Sequence, residues 1–165
     1  MEVANSARLL ALYFRCLECV TAFWSEGLDG RYREAWNQLI SAENAVRLLH
    51  ANAEDLGECG LYDLAEQLGA IQKLYPYRIF SSIEMLASAE RCTVCGSSPW
   101  EPTCGHRVGQ ITEGKIAQVE VKQAQLIGLA LTPRPKDKHC VMLLECHVPD
   151  YGPVRDLVAH VDETN

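Results

Sequence analysis

The sequence predicts an α+β fold, with an N-terminal antiparallel helical bundle packed with a small antiparallel β module. Three observations predict it. Apolar residues recur at three- and four-residue steps from Leu9 to Ile71, the period of a helix with one buried face. After Lys115 the chain changes to short β-compatible segments separated by Pro/Gly turns, the pattern of a small antiparallel sheet. Between the two lies a cluster of cysteines and a histidine, Cys92, Cys95, Cys104 and His106.

Ser6 is a candidate cap for a first helix over about 7–25, following a short unstructured start at 1–5. Leu9, Leu10, Tyr13, Leu17, Val20 and Trp24 form its stripe, and Phe14 and Phe23 widen the apolar arc. Cys16 and Cys19 lie one turn apart on its flank. Their interior residues are Leu17 and Glu18, with no Pro or Gly, so core packing is the reading over a redox pair. Gly27 suits a helix C-cap. A second helix is predicted over 31–52, with Tyr32, Trp36, Leu39, Ile40, Val46 and Leu49 inward and Glu34, Asn37, Glu43, Asn44 and Arg47 toward water. His50 falls near its C-terminus, as a surface or capping residue. Residues 52–60 form a connection, and a third helix spans about 61–74. It ends at Tyr75-Pro76-Tyr77, because Pro76 cannot continue the ladder.

Residues 79–91 are ambiguous: Glu84–Glu90 has helix propensity with Ser82 as a cap, whereas an extended segment commonly leads into a metal knuckle, and a short helix or irregular segment is the expectation. Lys115–Val121 alternates, and Gln123–Leu131 is apolar and β-compatible. Residues 132–137 and 149–153 are proline-rich turns. Cys140–Val148 and Val154–Val161 are expected as strands. The composition shift near Arg91 divides the chain into a helical bundle, 1–90, and a β module, 91–165, which can equally form one integrated domain.

The cysteine–histidine cluster reads C-x2-C-x8-C-x-H. Two residues between Cys92 and Cys95 let both sulfurs of one tight turn reach a single ion, and Gly96 supplies the positive φ such a turn favours. Three thiolates and one imidazole suit tetrahedral zinc, one ion per chain, and four protein ligands leave no open position for a substrate. That makes Cys92, Cys95, Cys104 and His106 a structural metal site. Five further cysteines remain: Cys16, Cys19, Cys59, Cys140 and Cys146. Met1-Glu2-Val3 lacks a basic leader, so a cytoplasmic setting with reduced thiols is expected, not a disulfide framework. Cys140 and Cys146 with His139 or His147 form a looser set that could hold a second ion.

The arrangement resembles a group of bacterial and phage-associated proteins of no assigned activity. In them a helical half precedes C-x2-C-G, a short spacer, C-x-H and a nearby glycine, followed by an apolar β segment with a proline. The matching positions are Cys92, Cys95, Gly96, Cys104, His106, Gly109 and 126–133, within about 91–133. The spacer here is longer than in the compact form of that module, and an aromatic residue near Thr112 is absent. These departures leave metal binding intact; the resemblance supplies no known activity and supports the architecture only.

The chain of 165 residues carries a net charge of −7, which repels phosphate backbones. Arg134–His139 is its one dense basic stretch. No phosphate loop, nucleophile elbow or zinc-deaminase pattern is present. His139 with Cys140, or His147 with Cys146, are neighbours on an expected strand and would point to opposite faces. The expected role is therefore a non-enzymatic interaction or adaptor protein with another protein as partner. A nucleic-acid-binding accessory using the zinc loop and 134–139, or an enzyme with a site not visible in the sequence, are the alternatives.

Overall fold

The computed structural model describes residues 2–53, 60–143 and 148–163, and within them the chain is α+β. Two long helices, α1 (Glu2–Leu28) and α2 (Tyr32–Asn52), are joined by three residues and pack along each other. A third, α3 (Leu61–Gln72), packs on α2. A long antiparallel ribbon follows, β1 (Phe80–Cys92) with β4 (Val119–Thr132), and between them a minimal hairpin, β2 (Ile111–Thr112) with β3 (Lys115–Ile116). The chain closes with α4 (Gly152–Glu163), which lies against α1.

The core is built mainly by α1 and α2. Leu12, Cys16, Cys19 and Phe23 of α1 meet Trp36, Leu39, Ile40, Val46 and Leu49 of α2. The inward face of α1 is therefore rotated from the expected stripe: Leu10, Phe14 and Leu17 are exposed, while Cys16 and Cys19 sit at its centre. Small thiols let α2 approach closely, and Cys16 Sγ lies 3.9 Å from the carbonyl of Ala42. Burial pushes the Cys16 thiol up to about 11, with Cys19 adding to it, so both sulfurs pack as small apolar groups. An aromatic cluster extends the core. Trp36 packs on Tyr75 and Tyr77 with ring centroids 5.0 and 4.9 Å apart, and Tyr151 stacks on Tyr32.

Several local expectations are overturned. Helix α1 starts at Glu2, because Asn5 Oδ1 accepts a bond from the Gly114 amide (2.9 Å) and this ties the first turn down. Gly27 lies inside α1 and not at a cap. A Cβ there would come 3.0 Å from Val158 Cγ2, and the left-handed position falls on Gly30 at φ 75°. Residues 80–92 are a strand, since pairing with β4 outweighs the helix propensity of this segment. Val154–Val161 is helical: Val154, Leu157, Val158 and Val161 are spaced for one helix face, and Pro153 starts the first turn without needing its missing N–H. Of the expected strand 140–148, the described part makes one bridge, Val141 with Phe80, and 144–147 lie outside the described residues. The alternation at 115–121 is broken after Ile116, where Ala117 turns inward and is buried.

The ribbon is anchored at one end on this core. Phe80 is buried beside Trp36, and the segment after β4 is fastened to α2. Trp36 Nε1 donates to the Lys138 carbonyl (2.9 Å), Arg33 donates to the His139 carbonyl (3.0 Å), and Lys138 Nζ reaches Glu43 (2.7 Å) and Gln72 (2.7 Å). Trp36 thus joins helix core, aromatic cluster and ribbon anchor. Trp36→Ala is predicted to lower stability by roughly 3–5 kcal/mol, the range for deleting a buried aromatic ring. Urea unfolding followed by far-UV circular dichroism measures it.

Candidate metal centre

The far end of the ribbon delivers the first donor. Cys92 is the last residue of β1, buried and paired with Val119. The chain then turns through a knuckle: the Cys92 amide donates to the Ser97 carbonyl (2.8 Å), and the Gly96 amide donates back to the Cys92 carbonyl (2.9 Å). Gly96 sits at φ 77°, a conformation that any side chain would strain. Cys95 is carried on this turn. A second turn, closed by the Cys104 amide on the Glu101 carbonyl (2.9 Å), presents Cys104 and His106 on either side of Gly105.

These two turns bring four donor atoms together. One ligand atom each from Cys92, Cys95, Cys104 and His106 lies within 4.8 Å of all the others, a group that could hold a metal ion. Cys95 Sγ and Cys104 Sγ are 3.8 Å apart. A tetrahedral ion with sulfur at ~2.3 Å separates its thiolates by about 3.8 Å, so the spacing fits. His106 Nδ1 is buried with no hydrogen-bond partner among the described residues, and a buried polar atom of that kind is one a metal centre would satisfy.

The electrostatics agree with a cation-binding group. Backbone amides of Cys95 and Val94 point at the Cys92 sulfur and hold its thiol below the ordinary range. The His106 amide acts on Cys104 in the same direction, but burial and the neighbouring Cys95 and Cys92 sulfurs outweigh it and leave that thiol raised. Clustered thiolates resist joint ionisation, and a dication at their centre reverses that cost.

The centre is also tied to the helices. Thr93 exchanges backbone and side-chain bonds with Gln118, and its hydroxyl reaches the Ile116 carbonyl. The Gly109 amide donates to the Ala117 carbonyl (2.8 Å), and the Ala117 amide to the Gln110 carbonyl (2.8 Å). Asn52 at the end of α2 clamps this loop. Its Nδ2 donates to the carbonyls of Gly109 (2.7 Å) and Leu48 (2.8 Å), while its Oδ1 accepts from the Ile111 amide (2.7 Å). The β2–β3 turn carries two positive φ angles, Glu113 and Gly114, as a two-residue hairpin requires. A Cβ on Gly114 would crowd Ala4 of α1.

Other residues singled out by type fall elsewhere. Among the described residues, Cys140 and His139 join no group of three or more clustered metal donors; Cys59, Cys146 and His147 lie outside the described residues. His50 is half-buried, 4.6 Å from the Tyr62 ring, and not simply at the surface. One arrangement escaped sequence reasoning. His139 Nδ1 lies 2.6 Å from Asp137 Oδ1, and its Nε2 lies 3.3 Å from Ser41 Oγ and 3.2 Å from the Asn37 carbonyl. Ser41 donates its proton to that same carbonyl (2.8 Å). The trio fastens the 137–140 segment to α2. Its parts are about 100 positions apart in the chain, and no local signal joins them.

Comparison of the chain with family models, with curated proteins and with solved structures finds no match. The donor group therefore stands on its geometry. Asn52→Ala removes the clamp and leaves the donors in place. It is predicted to lower stability by about 1–3 kcal/mol, the cost of leaving buried backbone groups unpaired, with metal content unchanged. Chemical denaturation paired with elemental analysis of the same sample tests both halves.

Proposed function

We propose that this chain is a non-enzymatic interaction or adaptor protein in which Cys92, Cys95, Cys104 and His106 hold one structural zinc ion. The observation that carries the reading is the closure of the donor group. Four protein donors within 4.8 Å of one another fill a tetrahedral sphere and leave no position for a substrate or an activated water. Three sulfurs and one nitrogen select zinc over the hard cations, which prefer oxygen. Reduced thiols of this kind suit a cytoplasmic compartment.

A second observation supports the interaction role. Residues 83–86 and 120–127 of the ribbon are exposed, among them Ile83, Met85, Leu86, Val121, Leu126 and Ile127. Apolar surface on that scale marks contact with another macromolecule. The nucleic-acid alternative draws less support. Of the basic stretch 134–139, Lys138 is engaged by Glu43 and His139 by Asp137, which leaves Arg134 and Lys136 on a chain of net charge −7.

Protein purified without chelator is predicted to carry about one zinc per chain, and to show no appreciable binding to random duplex DNA at physiological salt. Elemental analysis without zinc, together with a Cys92–Cys95 disulfide, overturns the metal assignment. Micromolar DNA binding that weakens steeply with salt overturns the role.

A further inference from the structure

The β1–β4 register sorts the ribbon into two unlike faces. Directly paired residues share a face, and successive residues alternate. Ser81, Ile83, Met85 and Ala87 on β1 therefore lie on the same side as their partners Leu131, Leu129, Leu126 and Ala124. Ser82, Glu84 and Leu86, with Ala130, Gly128 and Gln125, form the other side. Between Ser81 and Ala87 this first face has no charged residue; the next one on it is Glu90, paired with Val121 beyond the further bulges. Its large side chains are open to solvent: Ile83 60%, Met85 49%, Leu126 69%, Leu129 61% and Leu131 57% exposed. Ile127, the extra residue at the bulge opposite Glu84/Met85, is also exposed.

A two-stranded ribbon is marginal by itself, and stability comes when its apolar face is covered or further strands are added. The exposed parts of the five large side chains on this face amount to on the order of 600 Å², the upper end of the largest apolar patch on an ordinary monomer. With the adjoining main chain this approaches the ~800 Å² per partner of a stable interface.

Resting on the interaction role proposed above, we propose that the occupant is a second copy of this chain, its ribbon stacked on this one about a two-fold axis. Two observations select that partner. From Ile83 to Ala87 and across to Leu131 the face is apolar and charge-free but for Ser81 at its edge, so a copy of itself meets that stretch without burying a charge or opposing like charges, although each chain carries −7. An anionic lipid surface, the other common apolar sink, is repelled by that same charge. The geometry is also self-matching: two ribbons of equal length and twist stack as a four-stranded sandwich about ~10 Å thick. The charged side chains on the opposite face, Glu84 among them, remain in water.

The test is sedimentation velocity on the zinc-loaded full chain across the micromolar range. The expected species has twice the 18.4 kDa chain mass. Leu129→Lys places two like charges in the stacked face and is expected to weaken the dimer at least about thirtyfold, as for an interface anchor. Leu86→Lys, on the opposite face and equally exposed at 59%, is expected to leave it unchanged. Leu129 is exposed in the single chain, so the variant should keep its zinc and its helical circular dichroism. A wild-type monomer throughout the range overturns the proposal, and so does a dimer that Leu129→Lys leaves intact or that Leu86→Lys weakens equally. A zinc-loaded monomer that captures a different protein through the Leu129 face overturns the self-association alone and leaves the interaction role standing.

Discussion

The structure depends on what happens at Cys92. That residue is at once the last rung of the long ribbon, paired with Val119, and the first donor of the metal group. The ribbon's other end is held by ordinary means, with Phe80 in the core and the Trp36, Arg33 and Lys138 bonds after β4. The Cys92 end is held more lightly, by the Asn52 clamp and by Ile111 reaching the core. Between 93 and 110 the chain is rich in Gly, Ser, Pro and Thr, and Trp100 and Val108 are exposed. Ordering residues costs ~1–2 kcal/mol each, and burial on that scale does not offset it. A metal ion held by this group and coupled to folding would.

That division of labour explains why the ribbon stands clear of the helices. The ribbon's base is fastened to α2 near Trp36 and the loop beyond its far end at Asn52, about 24 Å apart along the helix axis. The thirteen residues of β1 extend about 40 Å. The ribbon therefore cannot lie flat between its anchors, and three register irregularities between Glu84 and Glu90 bend it. Its middle is exposed on both sides. A centre that fixes the distal end presents this middle section as one rigid surface. Without it, the same apolar strands would be loose edges prone to indiscriminate pairing.

Parts of this were legible in the sequence for physical reasons. The donor group was legible because metal chemistry is local: C-x2-C and C-x-H are each satisfied within one turn. The three leading helices were legible because their apolar period persists over many residues. Segments set by distant partners were not. Residues 80–92 favour a helix locally and become a strand only because 119–132 pair with them. Val154–Val161 carries three valines that favour a strand, whereas their spacing with Leu157 describes a helix face. The apolar residues of β4 were readable as strand, but nothing local says that they stay in water. The Asn52 and Asn5 clamps join positions more than fifty residues apart, and an asparagine in a helix announces no such role.

A metal ion at this centre is expected to order the ribbon and its loop, while the helical core holds without it. Hydrogen exchange read by mass spectrometry on wild type and Cys104→Ser tests it most directly. Fast exchange in the variant is predicted to be confined to about residues 90–132, with amides of α1 and α2 still protected by the Leu12, Cys16, Phe23, Trp36 and Leu39 core. Unchanged protection across 90–132 would contradict it, because the loop would then be ordered without its metal. Uniform loss along the whole chain would contradict it too, since core and centre would then be one cooperative unit.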